Sequence, residues 1–337
     1  MKVVILHPPL YPVNHQFFNL LGQKVDLTVY SFGEFPGLHN NWSVHDFISK
    51  DNTYKLNIIK GNTDLSKGAV SYKTQMNPLF LKKLIQDKPD VVISVAFWMP
   101  SLYVSILKNI LGYKFLIITD AISEAEKNIS TFRKTIRKII CQNTDSFISA
   151  SDLTSEYLHS LCPHIPIKYS LQTIDVTVWN NEINQLKEKD FLRDEIHLSK
   201  DKTILLGVGG FTMKKNWESV FRQMKDINES QFVLIGAGEL ERKYKEYIKT
   251  NNLQEKIIIV SRKEGMELKK YFKASDIFIF PSSCDQFGYV VPEALCSGLP
   301  VICSKYAGAS SLIENGVNGF VVDSKNNFTR EIDLTIK

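Results

Sequence analysis

The sequence predicts an α/β fold in which two Rossmann-like domains, each a doubly wound parallel sheet, face each other across a cleft. Short apolar runs alternate with helical patterns along the chain, which is typical of βαβ units. The runs are apolar throughout rather than at alternate positions, as expected for strands covered by helices on both faces. The length of 337 residues fits two domains at roughly 100–200 residues each.

The candidate strands and helices occur in both halves of the chain. In the first half, strands are predicted at 2–6, 25–32, 90–96, 113–119 and 145–151, with helices at 77–88 and 131–143. In the second half, strands are predicted at 203–209, 231–238, 256–261, 276–282, 300–304 and 319–323, with helices at 217–227, 239–251, 265–275 and 290–298. The segment 180–202 is polar and poor in strand pattern, so the predicted domains are 1–180 and 181–337.

Composition and charge narrow the class of protein. The net charge of +5 suits an anionic small ligand or an anionic membrane surface, and is too weak to indicate nucleic acid binding. The cysteine count of five is odd and includes no C-x-x-C pair, which favours a reduced, intracellular protein. The apolar run near the start covers only Val3 to Leu6, and no run approaches about 18 apolar residues. We therefore expect a cytoplasmic protein without a signal peptide or a transmembrane helix.

The segment 281–323 carries the most informative pattern. A buried strand ends at Pro281, a polar loop follows, and a helix beyond Gly288 carries Glu293. Gly288 allows the backbone to pass close to a ligand, and the amides of residues 288–291 are expected to be free to bind phosphate or sugar hydroxyls. Glu293 has two interpretations, because an acidic residue in the first turn of a helix also compensates the helix dipole.

This segment resembles the donor-site signature of glycosyltransferase family 4, the retaining GT-B enzymes. That signature is a proline-serine strand end, E-x-F-G, four residues, E-A, then G-x-P-V and a G-G turn. The resemblance extends to 204–220, similar to V-G-R-L-x-x-x-K-G, to 233–239, similar to I-x-G-x-G-x, and to 170–179, similar to N-G-V-D-x-x-x-F. It covers most of residues 145–323, and it implies an acceptor-side first domain and a second domain that binds a nucleotide sugar.

The resemblance implies roles for individual residues. Glu293 matches the glutamate that hydrogen-bonds the nucleotide ribose, and Asp285 occupies the first acidic position, near the donor sugar. Lys215 matches the lysine that neutralises the pyrophosphate, which gains negative charge as the glycosidic bond breaks. The other implied donor-binding positions are Phe287, Gly288, Tyr289, Val290, Gly209, Gly210, Lys214 and Gly238.

Three positions depart from the family pattern. Gly210 stands where the family has an arginine, and Lys214 is either a substitute for that cation or a solvated surface lysine. Asp285 is one methylene shorter than the family's glutamate, and Ser311 replaces the last glutamate of G-G-x-x-E. Because the sequence ends soon after 319–323, we expect the final helices of the family to be short or missing.

Asp120 is the remaining candidate catalytic residue. It follows a predicted strand of the first domain, where its side chain either contacts the acceptor or donor sugar or caps a helix. The sequence contains no D-x-D pair and no histidine cluster with metal-like spacing. We therefore predict no metal site and no cofactor, with the nucleotide-diphosphate sugar as the donor substrate.

The predicted helix 131–143 is basic and amphipathic. Arg133, Lys134, Arg137 and Lys138 lie on neighbouring turns, with Phe132 and three isoleucines between them. Such a helix either lies on an anionic membrane surface or is an ordinary domain helix with a solvated charged face. The first interpretation predicts peripheral association with the inner face of the membrane.

Taken together, the resemblance implies a retaining hexosyltransferase acting on a glycan or lipid-linked saccharide in polysaccharide biosynthesis. One alternative is a non-catalytic subunit that binds a sugar nucleotide or a partner transferase, which Gly210 and Asp285 leave open. A second is a sugar-nucleotide epimerase, which shares the two-domain form. It is disfavoured because the segment from E-x-F-G to E-A resembles transferases.

Overall fold

The structure, a computed structural model, describes residues 1–8, 10, 12–32, 52–59 and 78–336. The chain divides into two compact units. The first comprises Met1–Ala150 and Thr154–Leu171, and the second comprises Ser151–Leu153 and Gln172–Lys337. The division at 171/172 comes earlier than the predicted 180/181.

The first unit contains a parallel seven-stranded sheet. Its strands, in chain order, are β1 (Lys2–His7), β2 (Asp26–Ser31), β3 (Tyr54–Ile58), β4 (Val91–Val95), β5 (Lys114–Thr119), β6 (Ser146–Ser149) and β7 (Ile167–Tyr169). The spatial order is β3-β2-β1-β4-β5-β6-β7, and all six pairings are parallel. The chain therefore reverses its winding direction between β1 and β4, which is where ligands bind in such sheets.

Six helices in the described part of the first unit accompany this sheet. They are α1 (Pro12–Gly22), α2 (Phe80–Asp87), α3 (Met99–Leu111), α4 (Ser123–Glu126), α5 (Thr131–Gln142) and α6 (Asp152–Leu161). The predicted basic helix corresponds to α5, which begins where the Ser130 hydroxyl accepts a hydrogen bond from the Arg133 amide. Its inner face buries Ile140 and Cys141 against the sheet.

The second unit contains a parallel six-stranded sheet. Its strands are β8 (Thr203–Val208), β9 (Ser230–Gly236), β10 (Ile257–Ser261), β11 (Ile277–Phe280), β12 (Val301–Ser304) and β13 (Gly319–Val322). The order is β10-β9-β8-β11-β12-β13, so the winding direction reverses between β8 and β11. Neighbouring residues such as Leu205 and Leu206 pack into separate cores on opposite faces. This double burial explains why the strands are apolar throughout.

Seven helices accompany the second sheet. They are α7 (Val176–Asn184), α8 (Lys189–Glu195), α9 (Trp217–Gln223), α10 (Glu241–Thr250), α11 (Gly265–Ala274), α12 (Val290–Cys296) and α13 (Thr329–Ile336). Short 3-10 turns span Met213–Lys215 and Gly308–Leu312. The two parallel-sheet α/β domains predicted from the sequence are confirmed.

Helix α7 explains the position of the division. The Asp175 carboxylate caps this helix by accepting a hydrogen bond from the Val178 amide. Trp179 and Ile183 are buried in the core of the second unit, where the ring of Trp179 meets Phe272 edge-on at 5.5 Å between centroids. Apolar burial therefore assigns this helix to the second unit, although the strand pattern of that unit begins only at β8.

Candidate functional site

The loops after β8 and β11 meet at the carboxyl end of the second sheet. The first loop runs through the 3-10 turn Met213–Lys215, and the second runs from Pro281 to the start of α12. The Ser283 amide donates to the Lys214 carbonyl at 2.8 Å, and the Asn216 side-chain amide donates to the Pro281 carbonyl at 3.2 Å. These bonds hold the two loops side by side at the point where the winding direction reverses.

Lys215 and Asp285 form an ion pair across these two loops. The Lys215 ammonium lies 2.6 Å from Oδ2 of Asp285 and 4.8 Å from the centroid of the Phe280 ring. The two side chains are only 24% and 18% exposed, so their charges are less screened than those of a surface pair. The sequence predicted both residues at the site, and the structure adds that each is the partner of the other.

The loop after β12 fixes the backbone around Asp285. The Asp285 amide donates to the Tyr306 carbonyl at 3.1 Å, and the Gly308 amide donates to the Asp285 carbonyl at 3.1 Å. The Ala309 amide then donates to the Phe287 carbonyl at 2.9 Å. The side chain of Phe287 is buried in the core, so this residue anchors the loop. The carboxylate of Asp285 is therefore attached to a rigid backbone.

Two of the predicted glycines are required by close packing. Gly288 has φ +103°, and a Cβ there would lie 2.6 Å from the Phe280 ring. A Cβ at Gly238 would lie 2.6 Å from the Phe211 carbonyl oxygen, so Gly238 supports the loop after β8. By contrast, a Cβ at Gly210 would meet its nearest atom at 3.7 Å. Gly209 lies beside the aliphatic part of the Lys215 side chain.

The backbone amides of residues 288–291, at the start of α12, were expected to be free to bind a ligand. The Val291 amide donates to the Gly288 carbonyl at 3.0 Å, so the prediction that this amide is free is wrong. Tyr289 is the N-cap residue and is partly exposed, Val290 is the first helical residue, and the side chain of Lys214 is exposed.

Glu293 lies in the first turn of α12 and is largely buried. Burial raises its pKa to about 7, and the positive charge of Lys269 opposes this rise. Its Oε2 atom is buried and has no hydrogen-bond partner among the described residues. Compensation of the helix dipole requires no such burial, whereas a buried acceptor suits a ligand that brings hydroxyl donors.

Asp120 belongs to the first unit and follows the carboxyl end of β5. The N-cap residue of the next helix, α4, is Ile122, and no side chain caps that helix. The capping interpretation of Asp120 is therefore wrong for α4. The half-buried Asp120 lies at the sheet edge where doubly wound domains bind ligands, so a role in substrate contact stays a prediction.

The sequence interpretation missed a group of residues beneath Glu293. Lys269 is only 7% exposed, and its ammonium pairs with Glu182 at 3.0 Å. Trp179 donates from Nε1 to the Ser297 hydroxyl, which donates to the Glu293 carbonyl. A signal was present, because Lys269 lies three residues before the buried Phe272 and therefore on the apolar face of its helix.

The described part of the chain contains no group of three histidine, cysteine, aspartate or glutamate residues that could hold a metal ion. Two histidines, His39 and His45, lie outside the described residues. The absence of a metal from the site therefore remains a prediction.

Comparison with known proteins finds similarity to glycosyltransferases in the second unit. Residues 188–337 match the family model of the glycosyl transferases group 1. An uncharacterized glycosyltransferase of Methanocaldococcus jannaschii is 30% identical over 155 residues, which are 45% of this chain and 40% of that protein. The amylovoran biosynthesis glycosyltransferase AmsK of Erwinia amylovora is 31% identical over 140 residues, which are 39% of this chain and 34% of that protein.

Solved structures share the fold of the whole chain. HepE of Anabaena in complex with UDP superposes with a TM-score of 0.74 at 15% identity, covering 100% of this chain and 88% of that chain. The lipopolysaccharide outer core galactosyltransferase WaaB superposes with a TM-score of 0.73 at 16% identity, covering 100% of this chain and 90% of that chain. The predicted GT-B fold is thus confirmed. The chain aligns with well under two thirds of the length of these curated relatives.

Proposed function

We propose that the protein is a retaining glycosyltransferase that moves a hexose-type sugar from a nucleotide-diphosphate sugar to a glycan or lipid-linked acceptor. The observation that carries this proposal is the placement of a lysine-aspartate pair and a buried, unpartnered carboxylate oxygen around the loops of a group 1 glycosyltransferase domain. The UDP bound to the structurally similar HepE supports a nucleotide as the ligand class.

Glu293 binds the nucleotide in this proposal. Its Oε2 accepts hydrogen bonds from the ribose hydroxyls, which supply the donors that the protein itself does not. A hydrogen bond to a charged acceptor contributes roughly 1.5–3 kcal/mol, so this contact alone changes affinity about tenfold or more.

Lys215 stabilises the leaving group. Its ammonium pairs with Asp285, and it can turn one of its three N–H donors to the diphosphate while keeping Asp285. The negative charge on the diphosphate grows as the glycosidic bond breaks, so a fixed cation lowers the barrier. Asp285 in turn orients Lys215 and faces the donor sugar. The half-buried Asp120 is assigned to the substrate on the first unit.

The reaction proceeds without a metal ion in this proposal. Lys215 and the backbone amides around Gly288 carry the charge compensation that a divalent cation supplies in other transferases. Turnover is expected to survive excess EDTA. Loss of turnover on chelation, with recovery on adding Mg²⁺ or Mn²⁺, would contradict this part of the proposal.

A membrane-bound acceptor fits the surface of α5. Phe132 is 71% exposed and is flanked by the exposed side chains of Arg133, Lys134 and Lys138. Arg137 does not belong to this surface, because its side chain is buried and pairs with Glu126 at 2.8 Å. The predicted basic surface therefore shrinks to three cations around one aromatic ring, which suits an anionic lipid headgroup region. No helix among the described residues has the length and hydropathy to cross a bilayer.

A thermal-shift screen against UDP-, GDP-, ADP- and CMP-sugars tests the donor class. A ligand at 100 times its dissociation constant stabilises the protein by about 2.7 kcal/mol, so one diphosphate sugar should raise the unfolding temperature. The same donor should stabilise Glu293→Gln less. CMP-sugars, which lack the diphosphate, serve as the internal comparison. Failure of all three diphosphate classes would contradict the proposal.

One specific observation favours a second candidate, a sugar-nucleotide-binding subunit without catalysis. Gly210 leaves one cation position empty, and the charge of Lys215 is already balanced by Asp285. A binder of this kind would be stabilised by a donor yet release no nucleoside diphosphate, even with saccharide acceptors present. Measuring the release of nucleoside diphosphate separates the transferase from the non-catalytic binding subunit.

A further inference from the structure

Lys269 occupies an unusual position for a lysine. Lys269 is 7% exposed and lies on the face of helix α11 that packs against α7 and the core. Its ammonium lies 3.0 Å from Oε2 of Glu182 and 4.2 Å from the centroid of the Trp179 ring. Lysine is almost never buried without a partner, and here the partner and the aromatic face both come from one helix, α7. The cation is therefore held at one defined place.

That place is linked through helix α7 to the helix that carries Glu293. Helix α7 packs against α12, which carries Glu293, as well as against α11. The Trp179 ring that holds Lys269 also donates to the Ser297 hydroxyl at 2.9 Å, and this hydroxyl donates to the Glu293 carbonyl at 2.8 Å. One continuous set of contacts thus runs from the Lys269 ammonium to the backbone of Glu293.

The charges in this group do not cancel in pairs. The buried cation Lys269 pairs with Glu182, which is 39% exposed, whereas Glu293 has a buried oxygen without a hydrogen-bond partner among the described residues. An ionised carboxylate in such a place is costly unless a cation lies near it. Two titratable groups among the described residues interact with the charge of Glu293. Lys269 from α11 lowers the pKa of Glu293, and the negative charge of Glu293 helps to raise the pKa of Cys296 in the same helix.

We propose that Lys269 is a positioning residue that favours the ionised form of Glu293 for nucleotide binding, with Glu182 and Trp179 holding Lys269 in place. This inference rests on the proposed function, because it presumes that Glu293 binds the nucleotide. It goes beyond it by adding three residues that touch no substrate. The positive charge of Lys269 favours the carboxylate form of Glu293, and Glu182 weakens that effect by competing for the same ammonium.

The competition predicts opposite effects for two variants. In Lys269→Met the favourable charge is lost, so the pH at which Glu293 ionises should rise by about one unit or more. In Glu182→Gln the competitor is lost, so the same midpoint should fall. Lys269→Arg keeps the charge and should restore a midpoint close to that of the wild type. Lys270→Met is the matched control, because the neighbouring Lys270 pairs with Glu195 and Glu267.

The measurement is a titration of the ligand-free protein. Selective carbon-13 labelling of glutamate carboxyls reports each midpoint by NMR, and the spectrum of Glu293→Gln assigns the signal. Opposite shifts in Lys269→Met and Glu182→Gln, with none in Lys270→Met, support the inference. Unmoved midpoints in folded Lys269→Met and Glu182→Gln overturn it. If circular dichroism shows that Lys269→Met does not fold, the downward shift in Glu182→Gln decides alone.

The pH dependence of nucleotide affinity completes the test. With UDP, GDP and ADP as probes, affinity should rise with pH through the midpoint measured for each variant. If the midpoints shift as expected but none of the three nucleotides binds, the effect of Lys269 on Glu293 stands and the proposed function fails. If a nucleotide binds with the same pH dependence in wild type and Lys269→Met, the inference fails and the proposed function stands.

Discussion

At the scale of single residues, the candidate site combines a satisfied pair with an unsatisfied acceptor. Lys215 and Asp285 neutralise each other at 2.6 Å, while Glu293 keeps a buried oxygen without a partner. The sequence predicted all three residues through their match to the family's donor-site motifs. It could not predict that Lys215 meets Asp285, because 70 residues separate them and only the pairing of β8 with β11 brings their loops together. It also missed Lys269, since its burial depends on packing against a helix nearly 90 residues away.

Glu293→Gln should weaken nucleotide binding and at the same time stabilise the fold at high pH. The pKa of Glu293 is about 7 in the folded protein and near 4.5 in the unfolded chain. Between these values only the folded state keeps the proton, so the free energy of unfolding falls as pH rises from about 4.5 to about 7. Glutamine does not ionise, so the variant does not lose this part of the free energy of unfolding. The variant should therefore gain up to about 3 kcal/mol over wild type at pH 8 and little at pH 4.

Chemical unfolding at the two pH values and calorimetry with a nucleoside diphosphate measure both effects. Glu246→Gln, at an exposed position of α10, is the charge-matched control and should change neither quantity. A Glu293→Gln protein that binds nucleotide like wild type would remove Glu293 from the site. A variant whose stability follows the wild-type pH profile would show that the carboxyl is not buried.

Asp285→Asn should separate nucleotide binding from turnover. Removing the carboxylate frees the charge of Lys215, so the affinity for a free nucleoside diphosphate should increase severalfold. Turnover should decrease, because Lys215 loses its fixed orientation and the donor sugar loses a contact. Asp194→Asn is the control, since Asp194 forms an exposed ion pair with Lys200, also at 2.6 Å. Equal losses of binding and turnover in Asp285→Asn would mean that Asp285 mainly supports the loop.

At the scale of secondary-structure elements, the apolar runs identified every described strand except the two edge strands of the first sheet. All six strands of the second unit and five of the seven in the first were predicted, with bounds within a few residues. The missed strands are β3 and β7, which are the two edges of the first sheet. An edge strand needs less apolar surface, and Ile167–Tyr169 is only three residues long and partly exposed. The edge strands β10 and β13 of the second sheet are apolar runs and were predicted, so an edge position alone does not hide a strand.

Helix α5 carries the prediction of membrane association. Each basic residue near an anionic surface contributes about 1 kcal/mol, and salt weakens the attraction. Wild type should therefore float with anionic vesicles at low salt, and the Phe132→Ser, Lys134→Glu, Lys138→Glu variant should remain in the soluble fraction. Arg137 is left unchanged, because replacing it would break its buried pair with Glu126.

A second variant controls for net charge in this flotation assay. Lys243→Glu, Lys245→Glu reverses two exposed lysines of α10 and should float like wild type. Equal losses in both variants would mean that net charge, rather than the α5 surface, governs binding. Absence of flotation in wild type at low salt would mean that α5 is an ordinary solvated helix.

At the scale of the whole molecule, the fold follows from the sequence more completely than the function does. Alternation of strands and helices predicts two doubly wound sheets, and the structures of HepE and WaaB share this fold at 15–16% identity. The proposed catalysis depends on a few polar groups. Three positions of the family motif carry a different residue here, namely Gly210, Asp285 and Ser311. The central claim is therefore that Lys215, without the neighbouring arginine, still stabilises the leaving diphosphate.

The most direct test measures the donor dissociation constant beside the initial rate of transfer, or of slow donor hydrolysis, for wild type and Lys215→Ala. The charge on the diphosphate is largest in the transition state, so the rate should fall by about 10²-fold or more while donor affinity falls much less. Lys214→Ala, at the exposed neighbouring position, should leave both quantities near wild type. Equal losses of rate and affinity in Lys215→Ala, or a wild type that binds a donor without ever releasing nucleoside diphosphate, would contradict the account.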